Sequence, residues 1–266
     1  MNALRIGFVG PGRLGGPMVE RLVAAGHDVI VHARRPEVRA ALRESGITAT
    51  ERLDEVAGDR DLVLVCLYDD QQLSEVADVV AKALPQHAVI GSHVTGSVET
   101  ILGLAERHPH IQVVDAPISG TADDIRAGRL TVLTGGAPAA RAVVAAAVRA
   151  YADPVIDCGG LGAALSIKLV NNLLLAANTQ LLAVAAGAAE SLDIAPEALL
   201  AALAHMSGGS RASSLAAEHP TLGEFATKIS PFLSKDVAVC RSLTERTDVD
   251  VELLLEVVQR GPLALA

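Results

Sequence analysis

The chain has 266 residues, which fits one large α/β domain or two domains, and half of its residues are apolar. This much apolar material can be buried in a large core, so a disordered chain is excluded. A formal net charge of −9 and an aromatic content of 2% argue against nucleic-acid binding, which needs clustered cations and stacking surfaces.

The spacing of the cysteines and histidines and the pattern of the N-terminal residues predict a cytoplasmic protein without a metal. Cys66, Cys158 and Cys240 lie far apart with no CxxC pair, as expected for reduced thiols. The N-terminal residues run directly into a strand pattern with no signal-peptide core. The apolar stretch 169–189 contains Asn, Thr and Gln side chains that would be costly in lipid, so a buried helix is predicted and no membrane contact. The histidines lack the spacing of a ligand set.

Residues 4–157 alternate short apolar runs with helical patterns, which is typical of βαβ units on a parallel sheet. Strands are predicted at 5–9, 28–32, 62–66, 88–91, 112–115, 130–134 and 154–156. Helices are predicted near 13–25, 36–45, 69–83, 97–107, 121–128 and 138–149. This order predicts an N-terminal Rossmann-type, doubly wound parallel sheet.

Strand patterns stop after Gly162. Helices are predicted near 163–191, 195–206, 211–218, 232–247 and 250–259, so the C-terminal part is expected to be all-α. The glycines of 159–162 allow the last strand to turn into the long helix. The predicted domains are therefore 1–160, a Rossmann domain, and 161–266, an all-α domain.

A glycine-rich segment follows the first predicted strand and opens the first helix. It reads Gly10-Pro11-Gly12-Arg13-Leu14-Gly15. The first glycine allows a tight turn, the second lets a pyrophosphate approach the backbone, and the third lets helix and strand pack closely. These six residues are predicted to bind a dinucleotide; the alternative is a βα turn that binds nothing.

The end of the second strand indicates which dinucleotide. An NAD site would place a carboxylate there, whereas this chain has Ala33-Arg34-Arg35. Two guanidinium groups suit the 2′-phosphate of NADP, so NADP is expected and NAD is less expected. The alternative is that both arginines are solvated charges at the start of a helix, and Glu37 lies close enough to confuse the assignment.

Three further motifs follow in order. They are Asp115-Ala116-Pro117-Ile118-Ser119-Gly120, the segment 162–172 with Lys168 and Asn172, and Lys235-Asp236. Together with the glycine segment they resemble the β-hydroxyacid dehydrogenases, which include 3-hydroxyisobutyrate dehydrogenase, tartronate semialdehyde reductase and the glyoxylate/succinic semialdehyde reductases. The resemblance covers most of the chain, including a helical domain of the 6-phosphogluconate dehydrogenase type.

The resemblance implies a role for each matching residue. Lys168 is implied as catalytic, with Asn172 orienting the substrate. Ser119 and Gly120 would hold the substrate carboxylate, while Thr95 and Lys235 would lie near the cofactor. A homodimer through the helical domain is also implied.

Helix geometry supports the pairing of Lys168 with Asn172 independently of the family. Residues four apart lie on one helix face, so the ammonium and the amide would project side by side. A lysine on an otherwise Ala/Leu/Val helix is unusual for a purely structural element, because burying its charge is expensive. The alternative is that Lys168 extends to solvent.

Three departures from the family pattern leave the substrate open. Thr121 stands where the family usually has a glycine and is expected to narrow the anion pocket, Ala164 replaces another glycine, and the chain ends early at Ala266. The leading interpretation is an NADP(H)-dependent oxidoreductase that transfers hydride between nicotinamide and a small carboxylate-bearing hydroxy acid or semialdehyde, with lysine acid–base catalysis. The alternatives are an imine reductase-like enzyme and a catalytically silent NADP-binding scaffold.

Overall fold

The computed structural model describes residues 3–244 and 249–265 and confirms the predicted fold class, a Rossmann-type sheet followed by an all-α part. The chain divides into two compact units, the first ending at Lys168 and the second beginning at Leu169. Each unit has its own apolar core.

The first unit alternates strands and helices along the chain. Its elements are β1 (Arg5–Val9), α1 (Gly15–Ala24), β2 (Asp28–His32), α2 (Pro36–Glu44), β3 (Thr48–Thr50), α3 (Leu53–Ala57), β4 (Leu62–Val65), α4 (Asp70–Ala83), β5 (Val89–Ser92), α5 (Val98–Arg107), β6 (Gln112–Asp115), β7 (Ile118–Ser119), α6 (Ala122–Arg126), β8 (Leu130–Gly135), α7 (Pro138–Val148) and β9 (Ala152–Gly159).

The strands form one sheet in the order β3-β2-β1-β4-β5-β6-β8-β7, with β9 paired to β8. From β3 to β6 all pairs are parallel. Strand β8 runs antiparallel to β6 and β7 and parallel to β9, a reversal that the sequence did not indicate. As a result, β8 and β9 begin at the sheet edge where the parallel strands end.

Apolar helices cover both faces of this sheet, as a doubly wound fold requires. On one face, side chains of α1, α6 and α7 form an apolar cluster with the strands, which includes Phe8, Met18 and Val144. On the other, α3, α4 and α5 pack against β4 and β5 around Val63 and Ile101. The sheet is thereby buried over most of its area, and its strand ends are left to carry polar groups.

The predicted strands 5–9, 28–32 and 112–115 are confirmed residue for residue. The short elements β3, α3 and β7 were missed, because two to five residues carry too little periodicity to be recognised. Strand β9 is longer than its prediction.

The second unit contains most of α8 (Ala163–Glu190) and then α9 (Pro196–Leu203), α10 (Arg211–Ala216), α11 (Leu222–Thr244) and α12 (Glu252–Arg260). Leu173, Val237 and Val258 meet in its core. Helix α11 begins well before the predicted residue 232, because Pro231 lies inside the helix rather than before it. Residues 245–247 of that predicted helix lie outside the described residues.

Helix α8 is long and apolar enough to cross a membrane by length and composition, and half of its most apolar 18-residue window is buried in the protein. Core helices of globular proteins pass the same test. In the described part of the chain no other helix does so.

The start of α8 is held by a carboxylate from the sheet. Asp115, fully buried at the end of β6, accepts hydrogen bonds from the backbone N–H groups of Gly162 (2.9 Å) and Leu165 (2.8 Å). The first turns of α8 therefore pack with the sheet, and Leu165 joins its apolar core. This explains why the first compact unit includes the start of α8 as far as Lys168.

Replacing this carboxylate is expected to destabilise the protein strongly. Asp115→Ala leaves two buried N–H groups without an acceptor, so the free energy of unfolding should fall by about 3 kcal/mol in urea denaturation. The matched control is Asp123→Ala, since Asp123 is exposed and forms an ion pair with exposed Arg126. The control should change stability by less than about 0.5 kcal/mol. Equal losses in the two variants would contradict the capping role.

Candidate functional site

The glycine turn between β1 and α1 is shaped by backbone contacts. Gly10 has a φ of +95°, and a Cβ there would lie 2.2 Å from the carbonyl oxygen of Cys66. A Cβ on Gly15 would lie 2.1 Å from the Gly10 carbonyl oxygen. Both positions therefore require glycine for the fold itself.

Gly12 is different, because no described atom lies within 4 Å of a Cβ built on it. Packing within the protein does not demand glycine at this position. The N-cap residue of α1 is Leu14, whose side chain makes no capping hydrogen bond to the first N–H groups of the helix. An open glycine beside a helix N-terminus fits the pyrophosphate of a dinucleotide. Pro11, Arg13 and Leu14 belong to this turn, as predicted for the cofactor segment.

The segment after β2 is held from behind by a residue that the sequence analysis missed. Arg39 on α2 donates from Nη1 to the carbonyl oxygens of Ala33 and Arg34, both at 2.8 Å, and from Nη2 to Glu51 at 2.8 Å. Its side chain is only 14% exposed. The side chains of Arg34 and Arg35 are exposed beyond it. An arginine that binds backbone carbonyls has no sequence signature.

Ser119 and Gly120 lie at the exposed end of β7, where Gly120 has a φ of +136°. Thr121 was predicted to line the anion pocket, and its hydroxyl has another partner. It donates to the Asp124 carboxylate at 2.8 Å and accepts from the Asp124 N–H. The Thr121 backbone N–H also donates to that carboxylate, which completes a capping box for α6. Its role toward a ligand stays a prediction.

Lys168 and Asn172 lie one turn apart on α8, as predicted, with Lys168 half-buried. Asn172 is buried and donates from Nδ2 to Asp236 at 2.5 Å, and its Oδ1 accepts from Asn171 at 2.9 Å. The Lys235 ammonium lies 3.3 Å from the other Asp236 oxygen. The Lys235-Asp236 pair thus orients Asn172; contact of Lys235 with a cofactor stays a prediction.

Thr95 lies in the segment between β5 and α5 and is half-buried. Asp70 holds this segment by accepting the Ser97 N–H at 2.7 Å. His93, two residues before Thr95, is buried, and the sequence analysis did not consider it. Its Nδ1 lies 2.6 Å from the Ala116 carbonyl oxygen, and its Nε2 lies 2.8 Å from the Tyr151 hydroxyl. Burial lowers the pKa of this imidazole to about 4.

In the described ranges no group of three metal-ligating side chains comes together.

The end of the parallel strands in the first unit carries four of the predicted site segments. They are the glycine turn, the Thr95 segment, the Ser119-Gly120 segment and the start of the lysine-bearing helix. Asn172 and Lys235 belong to the second unit.

Residues 5–160 match the family model of the NAD binding domain of 6-phosphogluconate dehydrogenase. An uncharacterized oxidoreductase of Mycobacterium tuberculosis is 29% identical over 272 residues, which cover 96% of this chain and 91% of that protein. The mitochondrial 3-hydroxyisobutyrate dehydrogenase of Mus musculus is 28% identical over 214 residues, 77% of this chain and 62% of that protein.

Solved structures show the same fold at low identity. Mycobacterium tuberculosis 3-hydroxyisobutyrate dehydrogenase with L-serine has a TM-score of 0.85 and 22% identity, covering 97% of this chain and 92% of that one. Psf3 in complex with NADP+ and 2-OPP has a TM-score of 0.78 and 20% identity, covering 96% and 92%. An imine reductase from Pseudomonas sp. has a TM-score of 0.60 and 20% identity, covering 98% and 89%.

The buried imidazole gives stability a defined pH dependence. His93 stays neutral in the folded protein down to about pH 4 and is protonated below its ordinary value of 6.5 when unfolded. The unfolded state therefore binds more protons between these values, and stability falls as the pH drops from 6.5 to 4, by about 3 kcal/mol from this group. Urea denaturation at pH 7 and pH 4.5 should show a smaller acid loss in His93→Asn than in the native protein. Identical acid losses would contradict this assignment.

Proposed function

Because the chain belongs to the β-hydroxyacid dehydrogenase family, and is thus an oxidoreductase with a nicotinamide-dinucleotide domain, we propose that it is an NADP(H)-dependent enzyme of the 3-hydroxyisobutyrate dehydrogenase type. The proposed substrate is a small carboxylate-bearing hydroxy acid or semialdehyde. The observation that carries the proposal is the placement of Lys168, on a helix whose first turn Asp115 fixes to the strand that leads into Ser119-Gly120.

Two observations support the preference for NADP: the positive charge of Arg34 after β2, and the hydrogen bonds from Arg39 that hold the backbone there. Arg34 is exposed while Arg39 holds its carbonyl oxygen at 2.8 Å, so the guanidinium of Arg34 extends from a fixed backbone. The first carboxylate in the sequence after β2 belongs to Glu37, and it lies 3.8 Å from Nε of Arg35. A guanidinium fork matches the 2′-phosphate that distinguishes NADP from NAD.

When bound, the nicotinamide supplies or accepts the hydride. The proposed role of Lys168 is to give a proton to the substrate oxygen in reduction and to take it back in oxidation. The proposed role of Asn172 is to orient the substrate; Asp236 accepts a hydrogen bond from its Nδ2 and holds the amide. The Ser119 hydroxyl and the Gly120 N–H are the proposed donors to the substrate carboxylate.

A second candidate is imine reduction, which the likeness to the Pseudomonas imine reductase favours at the level of fold alone. Oxidation of NADPH with a panel of short semialdehydes and imines separates the two activities. A chain that binds NADPH and turns over neither class is a silent scaffold.

The proposal includes a homodimer in the cytoplasm, with no nucleic-acid or membrane partner. In support of a second copy, α8 exposes Val170, Leu174, Leu181 and Val184, each between 45% and 58%, at spacings that place them along one stripe. Sedimentation equilibrium tests the dimer.

Removing the Arg34 guanidinium should weaken NADPH binding about ten- to a hundredfold, the value of one charge-assisted contact of about 1.5–3 kcal/mol. NADH binding should stay unchanged, because NADH has no 2′-phosphate. Calorimetric titration of Arg34→Ala measures both, with Arg260→Ala as the control because Arg260 is exposed and pairs with Glu256. Equal affinities of the native protein for NADH and NADPH would refute the preference.

Lys168→Met keeps the length of the side chain and removes its charge, so folding and NADPH binding should survive. Turnover should fall roughly 10²–10⁴-fold, the usual loss when a general acid or base is removed. Lys82→Met, at an exposed position in the last turn of α4, serves as the control and should keep native turnover. Near-native turnover of Lys168→Met would exclude the lysine as the proton carrier.

A further inference from the structure

The backbone pairing of β5 with β6 ends just before the two site segments separate. The last paired residues are Ser92 and Asp115, and the Ala116 N–H still donates to the Ser92 carbonyl oxygen at 2.7 Å. Beyond this point the segment after β5 continues to Thr95, and the segment after β6 continues to Ser119. The contact between the His93 ring and the Ala116 carbonyl oxygen is the next rung, made by a side chain where the backbones no longer pair.

The partners of His93 define its tautomer. A carbonyl oxygen only accepts, so Nδ1 carries the hydrogen and donates to Ala116. In a neutral ring Nε2 is then an acceptor, and the Tyr151 hydroxyl donates to it. Both ring nitrogens and the buried hydroxyl are satisfied by this single arrangement.

Tyr151 reaches this edge of the sheet because β8 is reversed. Strand β9 begins directly after Tyr151, and it runs parallel to β8 and so opposite to β6. The Tyr151 ring is fully buried in the apolar cluster against which Cys66 packs, and the carbonyl of Cys66 is the group that Gly10 approaches closely. The histidine is therefore supported by a rigid element on the side away from Ala116.

We propose that His93 is a positioning residue that sets the spacing between the Thr95 segment and the Ser119-Gly120 segment through its Nδ1–H bond to Ala116. This inference rests on the proposed function, because the spacing matters for a substrate that is held by its carboxylate at Ser119-Gly120. The ring acts through these segments and touches no reacting atom. The bond to Tyr151 fixes the tautomer and the ring plane, and it is secondary to the Ala116 contact.

Two amide replacements separate the ring nitrogens. In His93→Asn the side-chain NH₂ occupies the place of Nδ1 and keeps a donor for Ala116, whereas in His93→Gln the amide reaches the place of Nε2 and loses that donor. Tyr151→Phe removes only the hydroxyl. The KM for the carboxylate substrate should rise roughly tenfold or more in His93→Gln and stay within about threefold in the other two variants, because misplacement near the reacting groups is costly. The kcat and the Kd for NADPH should change little.

Hydrogen exchange provides a readout that does not need activity. Peptides covering residues 116–121 should exchange faster in His93→Gln than in the native protein, with native rates in His93→Asn. A structural role without positioning would instead raise exchange and lower stability in all three variants together, with no selective change in KM. That result, or unchanged exchange in folded His93→Gln, would overturn the proposal.

Nitrogen NMR of the native protein covers the case in which His93→Gln does not fold. The His93 ring should be neutral at pH 7 with its hydrogen on Nδ1, and a ring protonated on Nε2 overturns the proposal. An inactive native protein in the same kinetic series would refute the proposed function, and the exchange and NMR results would still decide the role of His93.

Discussion

The structure depends on one buried carboxylate. Asp115 ends β6 and is fully buried. Its two carboxyl oxygens accept hydrogen bonds from two backbone N–H groups at the start of α8, 47 and 50 residues further along the chain. A charge in such a place is tolerated because a helix N-terminus offers directed donors and a favourable dipole. The same residue begins the segment that leads to Ser119-Gly120, so one side chain fixes the helix of Lys168 relative to that segment.

Hydrogen bonds from other residues hold the remaining functional segments in place. Arg39 grips the carbonyl oxygens at the end of β2, and Asp70 holds the turn after Thr95. In the second unit Asp236 orients the Asn172 amide. Three positions proposed to meet cofactor or substrate, Arg34, Thr95 and Asn172, are thus held by a buried or half-buried partner, which limits the reorganisation needed on binding.

The sequence predicted every strand of the parallel sheet except β3, together with the glycine turn and the lysine-bearing helix, because these carry strong local patterns of periodicity and spacing. It did not predict the reversal of β8, since a six-residue apolar strand carries no sign of its direction. Nor could it predict Asp115, Arg39 or His93 in their roles, since each acts on backbone carbonyls or N–H groups distant in the chain or without a motif. Thr121 carries both kinds of signal: its spacing to Asp124 fits the helix cap that the structure shows, while its role toward a ligand stays a prediction.

A crystal structure of the chain with NADP+ and a short hydroxy acid tests the central claim most directly, that the Asp115-anchored helix presents Lys168 to the substrate. The account predicts the Lys168 ammonium within about 3 Å of the substrate hydroxyl, with the substrate carboxylate at Ser119-Gly120. It also predicts that the two Asp115 hydrogen bonds to α8 stay intact in the complex. A bound hydroxy acid whose hydroxyl meets another side chain, with Lys168 directed to solvent, would contradict it.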